Sequence, residues 1–278
     1  MFPVLFRLGG LEITSFGVMV AVGLLAGAWL FGHELDARGL GHASGLASWA
    51  AIGGLVGAKL LWTAEHLGEA PVVDLVTDRG GMSWFGGLVG GVVVGLAMVV
   101  ARRWPVLPLV AAAAPAVALG QALGRVGCFL VGDDYGRPTS LPWGVAFPKG
   151  LPPTLVPVHP TQLYEAIFLA GLAWVLVRWR RSGLGDRAVV VRYCIVAGVF
   201  RFLLELVRVN VKVAAGLSVA QLASIGIVAV GIALSLSRPR AAAGREPLAP
   251  RRKLTSRSRS SRSSTRRSPP ATGPERRR

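Results

Sequence analysis

Seven stretches of this chain are apolar over about the 20 residues that a helix needs to cross a lipid core. They run over about Thr14–Gly32, Leu46–His66, Trp84–Ala101, Val106–Leu123 (extendable to Val131), Leu163–Trp179, Ala188–Val207 and Gly216–Leu236. Unpaired backbone groups in hydrocarbon are so costly that such runs should be helices. The expected fold class is therefore all-α: a polytopic membrane protein with about seven transmembrane helices and an external loop region. Only 16% of residues are charged and the mean hydropathy is +0.53. An ordinary soluble domain carries about 25% charged residues, so that class is excluded. The first apolar run lacks a basic leader and reads as an anchor rather than a cleaved signal.

Two domains are expected, a membrane domain over residues 1–237 and a tail over residues 238–278. The formal net charge of +17 belongs mostly to the tail. From Arg238 onward fourteen Lys and Arg face only Glu246 and Glu275, which leaves +5 for the body. The tail is Arg/Ser/Pro-rich with almost nothing apolar to bury, so disorder is expected. Its charge suits anionic membrane lipids, and no specific nucleic-acid partner is expected of it. Loop charges in the body divide almost evenly between the two faces. Arg238, Arg240 and Arg245 after the last run tip the positive-inside count. That places the C-terminus in the cytoplasm, the N-terminus outside, and the long polar segment Gly132 to Thr161 on the outer face.

Small residues crowd the third and fourth runs. Gly86/Gly90, Gly87/Gly91 and Gly91/Gly95 are each spaced i, i+4, followed by Ala111–Ala114, a pattern suited to close helix packing. Cys128 and Cys194 are too few and too far apart for a disulfide framework or a metal site, and read as buried thiols.

The ionisable residues near the runs carry the functional signal. Arg125 stands between Gly124 and Gly127 at the end of an apolar run, where an arginine usually has an anionic partner. Arg201, Glu205 and Arg208 are spaced i, i+4, i+7 and should share a helical face. One reading is a salt-bridge ladder at a helix end. The other notes that Glu205 neutralises only one arginine, leaving guanidinium groups for a phosphate. In V-H-P-T-Q-L-Y-E, His159 and Thr161 suit helix capping, with Gln162 and Glu165 as interhelical hydrogen-bonding groups.

Four motifs in order resemble those of the bacterial prolipoprotein diacylglyceryl transferases. They are G-G-M-S-W-F-G-G-L-V-G (Gly80–Gly90), G-R-V-G-C-F-L-V-G-D-D-Y-G (Gly124–Gly136), H-P-T-Q-L-Y-E (His159–Glu165) and R-F-L-L-E-L-V-R (Arg201–Arg208). The resemblance covers about Phe2 to Leu236. It implies a multi-pass enzyme of the bacterial inner membrane. Such an enzyme moves the diacylglyceryl group of phosphatidylglycerol to the lipobox cysteine of a preprolipoprotein signal peptide and releases glycerol phosphate. No metal or cofactor is implied. By the same resemblance Arg125 and Arg201 are the lipid-binding and catalytic arginines. Asp133 stands where the family usually has glutamate, and Asp133 or His159 would take the thiol proton. Gly124, Gly136, Gln162, Glu165, Glu205 and Arg208 complete the expected substrate site.

Phe85 occupies the family's histidine position, Cys128 its asparagine, Ala197 a tyrosine, and Phe16 the tyrosine of a Tyr-Gly pair. The alternative reading is a divergent paralogue, or a lipid-binding or transport protein, that holds anionic lipid without this chemistry. Because the tail lies outside the resemblance, ending the chain after Arg240 is expected to leave activity at the full-length level. The measurement is prolipoprotein modification in membranes carrying equal amounts of the two proteins.

Overall fold

The structure, a computed structural model, describes residues 4–8, 11–77 and 81–237. Arg79, Gly80 and the tail from Arg238 lie outside the described residues. Helices occupy all seven expected positions: α1 Ser15–Asp36, α2 Gly45–Glu65, α4 Trp84–Ala101, α5 Val106–Val131, α6 Thr161–Arg181, α7 Asp186–Leu204 and α8 Val219–Leu236, with a short α3 at Val72–Thr77. By length and composition, four stretches among the described residues can cross a membrane: Ser15–Asp36, Gly41–Glu65, Val106–Val131 and Val219–Leu236; Phe85–Ala101 is a shorter apolar helix. In α6 the basic group Arg178, Arg180 and Arg181 lowers the hydropathy, and in α7 Arg187, Arg192 and Arg201 do the same.

Helix ends follow local chemistry. Thr14 caps α1, its side chain accepting from Gly17 N at 3.1 Å. Ser218 and Gln221 form a capping box that starts α8, at 3.2 and 3.1 Å. Gly132, at φ +81°, ends α5 in the left-handed conformation that glycine adopts without strain. Helix α7 stops at Leu204, three residues earlier than its hydropathy predicts, so Glu205 caps it and Arg208 lies in the turn beyond. The last apolar run begins with a strand, Leu217–Ser218, that pairs with Lys212–Ala214 just before the run, and α8 follows. Small hairpins also form at Val4–Leu8 with Leu11–Thr14, and at Val145–Phe147 with Thr154–Val158 inside the long polar segment.

Helix α5 is the hub, packing on α1, α6 and α7, while α2 pairs with α4 and α7 with α8. Its faces are alanine: Ala111, Ala112 and Ala118 are fully buried, and Ala114, Ala116 and Ala122 nearly so. Large apolar side chains point outward instead, among them Leu25, Trp29, Val100, Ile167 and Trp174. Such helices are apolar all round, as membrane spans are. The far end of the bundle is pinned by charge. Buried Glu34 of α1 meets Arg38 at 2.8 Å and Arg180 of α6 at 2.6 Å, and Arg38 reaches Asp186 of α7 at 2.8 Å.

Of the expected glycine pattern, Gly86 and Gly90 of α4 pack closely, against Gly57 and Gly53 of α2, and Gly95 does not. A Cβ at Gly90 would lie 2.2 Å from Gly53 O, and one at Gly57 would lie 2.4 Å from Gly86 O. Both contacts are with backbone, which cannot step aside. Gly95 has nothing within 4 Å of such a Cβ. Gly90→Val is therefore expected to destabilise the protein by about 1–3 kcal/mol or more, while Gly95→Ala leaves it nearly unchanged. Thermal unfolding in detergent measures both.

Candidate functional site

The end of α5, the start of α6 and the end of α7 converge on one face of the bundle. The polar segment after α5 ties them together. Gly136 N donates to His159 O at 2.9 Å, Arg137 N to Val207 O at 2.8 Å, and His159 N to Arg137 O at 3.0 Å. Thr161 Oγ1 donates to Asp134 O at 2.9 Å, and Gln162 Nε2 to Asp133 O. Thr161 is thus spent on the Asp134 carbonyl and does not cap α6, whose N-cap is Pro160. Gly136 is required for space: a Cβ there would meet Val207 O at 2.5 Å and Thr161 Cγ2 at 2.8 Å. Gly124 is different, with open space where its Cβ would be.

This framework holds an alternating chain of charges. Glu165 Oε2 lies 2.9 Å from Arg125 Nε, and Arg125 Nη1 lies 2.7 Å from Asp134 Oδ2. Asp134 Oδ1 lies 2.9 Å from Arg208 Nη2, and Arg208 Nε lies 3.8 Å from Glu205 Oε2. Glu205 Oε2 then meets Arg201 Nη1 at 2.6 Å, and its Oε1 accepts from Asn210 Nδ2 at 2.6 Å. The three arginines, at residues 125, 201 and 208, therefore meet three carboxylates. The expectation that guanidinium groups are left over is corrected here: Glu165 and Asp134 neutralise what Glu205 does not. Sequence reading missed Asp134 and Asn210. The signal for Asp134 was its place nine residues past Arg125, just beyond a helix end whose glycine turns the chain back.

Burial grades along this chain. The side chains of Glu205 and Arg208 are 0% and 5% exposed, whereas Arg125 is 23%, Arg201 25% and Asp134 48% exposed. The accessible arginines are thus Arg125 and Arg201. Burial works against ionisation of Asp134, but Arg208 and Arg125 outweigh it and hold that carboxyl below the ordinary range. Asp133 goes the other way. Burial and the neighbouring Asp134 charge push its carboxyl up, although a hydrogen bond from Cys128 opposes them. Asp133 Oδ1 is buried without a hydrogen-bond partner.

The remaining candidates lie around this core. His159 Nδ1 is 3.3 Å from Tyr164 Oη, which also accepts from Trp143 Nε1 at 2.7 Å. It makes no ion pair with the charge chain among the described residues. Cys128 is buried and free. Phe85 is exposed at 60%, and Phe16 packs across Gly127 at the start of α1. Ala197 is half-buried among the apolar residues between α5, α6 and α7. One turn from Arg201, an apolar groove of about 280 Å³ runs between α7 and α8, lined by Val199, Phe202, Leu203, Ser224, Ile225 and Val228.

Removing one partner of a buried ion pair leaves the other charge uncompensated, at a cost of about 3–5 kcal/mol. Glu205→Ala is expected to destabilise by that amount, since Arg208 stays buried. The exposed pair Arg7–Glu12, at 2.8 Å with side chains 70% and 52% exposed, sets the contrast: Arg7→Ala should cost under about 1 kcal/mol. Thermal unfolding in detergent separates the two.

Comparison with known proteins gives a consistent result. The family profile described as prolipoprotein diacylglyceryl transferase matches residues 3–237. A phosphatidylglycerol–prolipoprotein diacylglyceryl transferase of Clostridium tetani is 35% identical over 241 residues, covering 83% of this chain and 95% of that one. Proteins of the same name from Geobacter sulfurreducens and Coxiella burnetii are 35% and 34% identical, each over 74% of this chain and over 82% and 81% of theirs. A match over almost the whole helical body, in a chain that pairs its motif arginines at one face, leads to one conclusion: this chain belongs to the prolipoprotein diacylglyceryl transferase family.

Proposed function

We propose that the protein is an enzyme that transfers the diacylglyceryl group of phosphatidylglycerol to the lipobox cysteine of a preprolipoprotein. The observation that carries this reading is the placement of Arg125 and Arg201, the two partly exposed arginines at one face of a member of this family. The reaction is a displacement. The substrate thiol gives up its proton, its sulfur bonds to the glyceryl carbon, and the carbon–oxygen bond to phosphate breaks. Glycerol phosphate leaves with the electron pair of that bond.

Charge builds on the leaving phosphate, and guanidinium groups placed where charge develops are the natural means of stabilising it. Arg125 and Arg201 have this role, with Arg208 as a further guanidinium for the phosphate, Glu165 and Glu205 orienting the arginines, and Gly124 leaving room for the head group. Gly136, Gln162 and Thr161 hold the Asp133–Asp134 backbone in place. The apolar groove beside Arg201 suits an acyl chain of the lipid. Asp133, whose carboxyl is more basic than usual, is the favoured acceptor of the thiol proton, and His159 is the second candidate. Cys128 need not react, because the peptide substrate brings the nucleophile.

In this reading the protein crosses the bacterial inner membrane seven times, with its N-terminus outside and its C-terminus in the cytoplasm. The site then faces the outer leaflet, where translocated preprolipoproteins emerge. Residues 1–237 form the membrane domain, and the basic tail lies along anionic lipid of the inner leaflet.

Complementation tests the reading. In bacteria depleted of their own transferase, the wild-type chain is expected to restore lipid-modified prolipoprotein, seen as a mobility shift. Arg125→Ala should abolish the shift and Arg201→Ala should reduce it by about 10²–10³-fold in rate, the usual loss when one oxyanion-stabilising donor is removed. Failure of a correctly inserted wild-type chain would favour a divergent paralogue. Wild-type turnover in either variant would rule out the phosphate clamp.

A further inference from the structure

Asp134 lies inside the Gly124–Gly136 motif, where the family resemblance assigns it no role, yet it is the joint of the charge chain. Its two carboxylate oxygens hold two different arginines, Arg208 at 2.9 Å through Oδ1 and Arg125 at 2.7 Å through Oδ2. This is how two oxygens of one phosphate would bridge the same pair of guanidinium groups. The chain contains three arginines and three carboxylates, so its charges already balance. Arg137 approaches only from the side, its Nε donating to Arg208 O at 3.3 Å. A phosphate that entered beside all three carboxylates would meet a site with no net attraction for it.

One carboxylate must therefore give way, and the three differ sharply in their freedom. Glu205 is fully buried and bound by Arg201, Arg208 and Asn210. Glu165 is 9% exposed and fixed on the first turns of α6. Asp134 is 48% exposed, lies in the loop after α5, and sits at φ +59°. That left-handed conformation is unusual for a non-glycine residue and is tolerated best by Asp and Asn. Its backbone stays anchored through Thr161, whose hydroxyl donates to Asp134 O, so the side chain can swing out without moving the loop.

We propose that Asp134 is an internal anion. It occupies the phosphate position between Arg125 and Arg208 while the site is empty, and it yields that position to the phosphodiester of the incoming lipid. Asp134 is thus a positioning residue. It keeps the arginines extended and spaced before binding, and it makes only a ligand of sufficient negative charge able to enter. Neutral lipids gain nothing by displacing it, and a zwitterionic lipid brings a cationic head group toward the arginines that offsets what its phosphodiester gains. The inference rests on the proposed phosphatidylglycerol reading.

Carboxyl footprinting of the wild-type, full-length protein tests it directly. The protein is placed in nanodiscs of phosphatidylcholine with or without phosphatidylglycerol, and carboxyl groups are labelled with a water-soluble carbodiimide and an amine. Asp134 is expected to label faster when phosphatidylglycerol is present, while Glu12 serves as an unaffected exposed control. Labelling that is unchanged or slower at Asp134 overturns the proposal.

Asp134→Asn, which tolerates the same backbone conformation, supplies the second arm, with Asp134→Gly as the alternative variant for the left-handed position. Either should unfold at lower temperature than wild type in phosphatidylcholine. Either should also reach half-maximal stabilisation at about three- to tenfold less phosphatidylglycerol, because a competing state has been removed. If wild type responds to phosphatidylglycerol and the variants need as much lipid or more, Asp134 is a strut and the internal-anion role fails while lipid binding stands. If wild type shows no preference for phosphatidylglycerol over phosphatidylcholine, the lipid reading itself fails and this inference falls with it.

Discussion

Glu205 is the residue on which the rest of the site depends. It is a carboxylate with no exposed surface, hydrogen-bonded by Arg201 and Asn210, with the Arg208 guanidinium 3.8 Å away. A buried charge survives only when it is paired and hydrogen-bonded. That requirement forces α7 to end at Leu204, brings the following turn against Gly136, and fixes the direction of two arginines at once. Arg208 then requires Asp134, Asp134 reaches Arg125, and Arg125 requires Glu165. Each ion is tolerable because of the next, so the end of α5, the start of α6 and the end of α7 cannot drift apart independently.

Such a chain needs rigid supports, and small residues provide them. In lipid, apolar surface gains little by meeting apolar surface, so helices associate through close packing and polar contacts instead. Here the alanines of α5 let α1, α6 and α7 approach a common axis. Gly23 and Gly120 bring α1 and α5 nearly to backbone contact. The opposite end is closed by a second buried ion cluster around Glu34. Helices α6 and α7 are thus clamped by charge at both ends, with uncharged packing between. The cost in hydropathy is visible: these two helices carry the most arginine, and they are the ones whose composition falls short of an ordinary span.

The positions of the helices were legible in the sequence because hydrocarbon imposes a length and a polarity on whatever crosses it. Their ends were less so. The hydropathy of α7 runs on through Leu206 and Val207, but Glu205 needed partners outside the helix and stopped it. The strand Leu217–Ser218, which pairs with Lys212–Ala214, was likewise hidden at the start of an apolar run. Arg125 and Arg201 stood out because isolated arginines at helix ends are conspicuous. Their pairing did not, since Asp134 and Glu165 are distant in sequence from Arg208 and Arg125, and only folding shows which carboxylate each arginine meets. Thr161 had the chemistry of a helix cap, yet it served the Asp134 carbonyl, a tertiary demand that local sequence could not reveal.

The departures at Phe16, Phe85, Cys128 and Ala197 fall unevenly on the proposed reaction. None of these residues belongs to the charge chain. All of that chain's members, from Glu165 to Arg201, are ionisable, so the proposed anion-stabilising half keeps every charged group. The proton-accepting half has lost a histidine position to Phe85. In the proposed reaction a suitable replacement is a group near the arginines that is more basic than an ordinary carboxylate. Asp133 meets both conditions. Burial raises it, its Oδ1 is left without a partner, and the adjacent residue is bonded to Arg125 and Arg208. The two aspartates thus divide the work by environment. Asp134, between two guanidinium groups, is held ionised as an anion for the arginines, while Asp133, pushed up by burial, is the proton acceptor in the proposed reaction.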